Sequence, residues 1–101
     1  MSETDRHFIG LIYSMSQAAL HQLGKIVNPL TGKVEKNLNE AKMTIDMIDM
    51  LKEKTKGNLS KEEETFLNNT LATLQLNYAD EIKKGSIQQN KVSTSEEKPK
   101  N

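Results

Sequence analysis

Two stretches of this chain carry apolar side chains around far more of their circumference than one helical face can use. Placed at about 100° per residue, Phe8, Ile9, Leu11, Ile12, Tyr13, Met15, Ala18, Ala19, Leu20 and Leu23 cover an arc of roughly 220°. Leu38, Ala41, Met43, Ile45, Met47, Ile48, Met50 and Leu51 cover roughly 240°, with only Thr44, Glu40 and a few lysines inside the arc. An ordinary amphipathic helix buries a stripe of about 100°. The polar remainder of the first stretch is Arg6, His7, Gly10, Ser14, Gln17 and His21, and that of the second is the narrow strip Lys42, Asp46, Asp49 and Glu53.

Punctuation along the chain predicts an all-α fold of three helices, at about 4–23, 38–56 and 61–84. Gly24 follows the last periodic apolar residue of the first helix, where a left-handed cap is expected. Lys25–Lys36 holds the turn signal Asn28-Pro29-Leu30-Thr31-Gly32 together with Val27, Leu30 and Val34. It reads as a loop packed down on the body, with a short β-hairpin of Ile26–Val27 against Val34 as the alternative. Asn37, with Glu40 three residues on, opens the second helix, whose last turns carry Lys52, Lys54 and Lys56 before Gly57. Ser60 and Glu63 form a capping box for the third, with Glu62, Glu63 and Glu64 at its positive end.

The third helix has a normal stripe of Leu67, Leu71, Leu74, Tyr78 and Ile82, with Phe66 as a second contact, and Gly85 is expected to end it. Beyond Gly85 only Ile87 and Val92 are apolar, so residues 86–101 are expected to be a disordered polar tail behind a helical domain of residues 1–85. The three helices would form a small bundle or a helical hairpin assembly.

Each helix of a three-helix bundle touches two neighbours and turns one side to water. Two helices with such wide apolar arcs therefore leave surface that something else must cover. A second copy of the chain is the simplest cover, since two-fold homo-oligomers are the commonest soluble assemblies. The expected contact residues are Leu11, Met15, Met43, Met47, Ile48, Met50 and Leu51. The bland alternative is that Val27, Leu30 and Val34 hide the excess. Met43, Met47 and Met50 read either as core filling or as an adaptable surface for another protein's helix, because thioethers are flexible and polarisable.

Chemistry is scarce by comparison. Lys+Arg and Asp+Glu number 14 each in 101 residues, so net charge is zero and counterion release offers little to a nucleic-acid or anionic-membrane binder. Cysteine is absent, which excludes disulfides, thiolate metal sites and cysteine nucleophiles. The strongest apolar run, near Phe8–Tyr13, is far short of the ~20 residues of a membrane span. The polar start of the chain is not the pattern of a signal peptide, and a cytoplasmic protein is expected. Asp46, Asp49 and Glu53 share a helical face but lack the Glu-x-x-His pattern of a di-iron bundle, and Lys42 supplies an ordinary i,i+4 partner. His7 and His21 lie ~21 Å apart along one helix and cannot share a ligand. A helix-turn-helix reading fails on the glutamates that open the third helix and on the single arginine, Arg6. No nucleophile, base and orienting group can be assembled, and no cofactor, metal or catalytic residue is expected. A nucleic-acid accessory role ranks below both self-association and an adaptor role.

Several local features also resemble a bacterial family of unknown function, family 1844 of the domains of unknown function. They are Ala19-Leu20 with Leu23-Gly24, then Asn28-Pro29 and Thr31-Gly32, then Leu38, Ala41 and Ile45-Asp46. The most specific piece is Met50-Leu51-Lys52-Glu53-Lys54-Thr55-Lys56-Gly57-Asn58-Leu59 followed by Glu63. The resemblance spans roughly Phe8 to Tyr78. The family often carries an arginine after the leucine near its end, where this chain has Leu74-Gln75-Leu76. The resemblance implies a small helical protein and no activity, cofactor or site. Within its most specific piece, Lys54, Thr55, Lys56 and Asn58 read mainly as an interhelical turn. An anion or partner site beside the next helix N-terminus is the functional alternative.

Overall fold

A computed structural model describes residues 2–93, with side chains to Gly85. It contains three helices, α1 (Glu3–Gln22), α2 (Leu38–Lys54) and α3 (Lys61–Ser93). Each starts at a short polar side chain that occupies an otherwise orphaned N–H. Asp5 N donates to Ser2 Oγ at 3.0 Å, Glu40 N to Asn37 Oδ1 at 3.1 Å, and Glu63 N to Ser60 Oγ at 3.2 Å. The box at Ser60 is complete, with Ser60 N donating to Glu63 Oε1 at 2.8 Å. The box at Asn37 is half made, because its own N–H donates instead to the Gln22 carbonyl at 2.7 Å. That bond ties the start of α2 to the end of α1.

α1 closes on Gly24 at φ +79°, with Gly24 N donating to the His21 carbonyl and Lys25 N to that of Leu20. A side chain at Gly24 would also meet Lys36, whose Cε would stand 3.2 Å from the added carbon. The loop thus doubles back over this glycine. Its apolar residues do not cover the body as expected: Val27 and Val34 are half exposed and Leu30 is 93% exposed. The hairpin reduces to one isolated bridge between Asn28 and Lys33, built on an Asn28 side chain that accepts from Leu30 N at 2.9 Å.

The chain runs up, down and up. The core takes Ile12 and Ala19 from α1 with its cap residue Leu23, then Ala41, Ile45 and Ile48 from α2, then Leu67, Leu71 and Leu74 from α3. Phe8, Met15, Leu20, Leu38, Leu51, Leu59, Phe66 and Tyr78 pack around them.

Three expectations need correction. α2 stops at Lys54 rather than Lys56, because Thr55 turns its hydroxyl back onto the Leu51 carbonyl at 2.6 Å and becomes the cap. α3 does not stop at Gly85 but runs to Ser93, since Gly85 keeps a helical backbone and only Gly24, Gly32 and Gly57 take positive φ among the described residues. Ile82 is exposed and Glu81 is buried in its place. The last part of the expected tail, residues 94–101, lies outside the described residues.

Candidate interaction surface

The relative rotation of α1 and α2 decides which apolar residues remain outside. Thr44 Oγ1 is buried 2.7 Å from Gln22 Oε1, so the Gln22 side of α1 faces the Thr44 side of α2. On that side of α1, about 60–120° from the core residue Ile12, stand Met15, Leu11 and Ala18. On the matching side of α2, about 60–160° from Ile48, stand Leu51, Met47, Met43 and Met50. The antiparallel pair therefore presents one largely apolar face built from both helices.

Exposure divides the seven expected contact residues. Leu11 is 47%, Met43 64%, Met47 44% and Met50 44% exposed. Met15 and Leu51 are half-buried at the rim of the core. Ile48 is fully buried in the bundle, so its place on the surface is corrected: it belongs to the wide arc, but the bundle itself uses it. Met43, Met47 and Met50, with Asn39, Lys42 and Asp46, border a shallow depression of about 370 Å³. A second apolar recess of about 300 Å³ lies on the opposite flank of α1, where Tyr13 and Leu20 meet Phe66 and Leu74.

Beside this face the strip Lys42, Asp46, Asp49 and Glu53 is exposed, and Lys42 Nζ pairs with Asp46 Oδ2 at 2.8 Å. The hydrogen bond and charge of Asp46 raise the Lys42 ammonium above its ordinary value. His7 is exposed, and His21 is half-buried at the edge of a cleft of about 550 Å³ shared with the loop. Among Lys54, Thr55, Lys56 and Asn58, two groups are already used by the turn: the Thr55 hydroxyl binds the Leu51 carbonyl, and Asn58 N donates to the Thr55 carbonyl at 2.8 Å. Lys56 and Lys52 line a recess that Glu53 and Glu64 also line, so its field is mixed rather than cationic.

The most strongly organised polar group lies outside the residues singled out from the sequence. Glu81 is buried on α3, with Lys25 Nζ 2.6 Å from Oε2 and Lys36 Nζ 2.6 Å from Oε1. Lys84 stands 3.4 Å from Oε2, and Asp80 extends the cluster to Lys25 at 3.6 Å and Lys84 at 3.3 Å. Hydrogen bonds from Lys25 and then Lys36 overcome the opposing effect of burial and hold the Glu81 carboxyl down at about 2. Asp80 is the main cause of a raised Lys84. Wheel geometry was the available signal: Glu81 and the buried Glu63 both lie about 40° from Leu67, on the Leu74 side of α3. A stripe traced through apolar residues alone passes them by.

No helix among the described residues is long and apolar enough to cross a membrane. No curated protein and no solved structure matches the chain. The family model described as Domain of unknown function (DUF1844) matches residues 5–80, which is most of the sequence and nearly all of the bundle, and the chain belongs to that family.

Proposed function

We propose that this is a non-enzymatic cytoplasmic protein that works by assembling with itself through the α1–α2 face. The observation that carries the reading is the outward placement of Leu11, Met43, Met47 and Met50 after the bundle has taken Ile48 and most of Met15 and Leu51 into its packing. The loop that could have hidden them lies open to water. Each exposed large apolar side chain that becomes buried contributes on the order of 1 kcal/mol, so a handful of them acting twice across a two-fold axis supports a stable contact. Light scattering on the purified protein at micromolar concentration is expected to give a dimer or larger. Met47→Glu is expected to convert it to a monomer that keeps its helix content and loses only the stability that the contact adds. A monomeric wild-type protein overturns the reading.

The methionines favour a second reading, an adaptor that receives another protein's helix on the same face, because a thioether surface repacks around different shapes. It requires a stoichiometric foreign partner that Met47→Glu releases.

A further inference from the structure

The exposed stripe of α2 carries opposite charges at its two ends. Glu40, Met43, Met47, Met50 and Lys54 follow one another at steps of three and four, and all five are exposed. They lie about 80–160° around the helix from Ile48, so they form a single row on the side away from the core. Neither the Glu40 carboxylate nor the Lys54 ammonium has an ion-pair partner among the described residues. The row is therefore acidic at its N-terminal end, apolar through three methionines, and basic at its C-terminal end.

Such a row is self-complementary in one direction only. Laid parallel, two copies set Glu40 against Glu40 and Lys54 against Lys54. Laid antiparallel about a point beside Met47, residue 40 falls level with residue 54, since each lies seven positions from the centre. Each end then meets its opposite charge, and the methionines meet one another between them. Like charges placed across a contact disfavour it and opposite charges set its register.

Resting on the self-association proposed above, we infer that α2 pairs antiparallel with α2 of a second copy about a two-fold axis at Met47, with Glu40 beside the partner's Lys54 at both ends. Leu11 flanks the same row from α1 and adds to the contact. The occupant of the α2 face is thus a second copy of this chain rather than an unrelated helix.

Because the chain has no cysteine, a single introduced thiol reports this geometry without background. A residue on the axis meets its own mate at the Cα separation a disulfide needs, about 4.4–6.8 Å. Residues four positions away are displaced from their mates by about 12 Å along the axis. Under mild oxidation Met47→Cys should cross-link to a dimer, and Met43→Cys should stay reduced. Glu40→Lys and Lys54→Glu should each raise the dimer dissociation constant roughly tenfold at low salt, because each acts twice, and the double variant should return it to within about threefold of wild type. Cross-linking through Met43→Cys as readily as through Met47→Cys, or charge reversals without effect, overturns the antiparallel pairing. If light scattering of the unmodified protein still shows a dimer in that case, the assembly reading stands and only its geometry falls. A monomer removes both.

Discussion

A buried carboxylate fastens the open end of this bundle. Glu81 receives Lys25 and Lys36 from the two ends of the first loop, and Gly24 leaves room for the Lys36 chain to pass. Replacing the charge while keeping the shape, Glu81→Gln, is expected to cost about 2 kcal/mol, because both lysines keep partial access to water while the buried acceptor loses two charged hydrogen bonds. The folded carboxyl is held near 2, below its ordinary value of 4.5. The unfolded chain therefore takes up this proton first as pH falls. The stabilisation is complete above about pH 4.5 and drains away between there and pH 2. Thermal unfolding followed across that window should show a steeper loss for the wild type than for Glu81→Gln. A matching contrast exists on α2. Ile48→Asp puts a charge into a fully buried site and should abolish folding, whereas Asp46→Asn breaks only an exposed pair with Lys42 and should change stability by less than about 0.5 kcal/mol. Circular dichroism during denaturant titration separates the two.

The helices were legible wherever their determinants are local. Ser60 with Glu63, Asn37 with Glu40, and Gly24 act within four residues of themselves, so sequence spacing alone locates the three elements. Leu67, Leu71 and Leu74 were read as core for the same reason of periodicity. The departures at Glu81 and Ile48 have distant causes. Glu81 is buried because Lys36 arrives from 45 residues away, and no local pattern announces that. Ile48 and Met47 are neighbours in one wide arc, and only the placement of α1 decides which of them turns inward. The departure at Gly85 is local: glycine often ends a helix, yet here it keeps a helical backbone, and an added Cβ would meet open space. Gly85→Ala is accordingly expected to stabilise the protein by up to about 1 kcal/mol through helix propensity. Gly57→Ala, at φ +81° and equally open, should destabilise it by about 1–2 kcal/mol through backbone strain alone. Opposite shifts in melting temperature for these two chemically identical substitutions would confirm that α3 runs through Gly85.

At the scale of the whole molecule, a narrow core of nine side chains leaves α1 and α2 under-covered. The bundle satisfies the middle of each wide arc and leaves its edges outside. The geometry explains why the candidate surface was partly readable beforehand: excess apolar surface is a property of each helix taken alone, whereas its division between core and exterior belongs to the packed set. The third helix, normal in its patterning, is also the one that contributes least to that surface. The link between Lys36 and Glu81 carries one more consequence, for the order of events during synthesis. Residues 25–36 can be translated, and α1 and α2 can find each other, well before residue 81 leaves the ribosome. Throughout that interval the loop lacks its carboxylate anchor and the core sides of α1 and α2 lack α3, so the nascent protein is at its most adhesive until α3 emerges to cover Ile12, Ala19, Ile45 and Ile48.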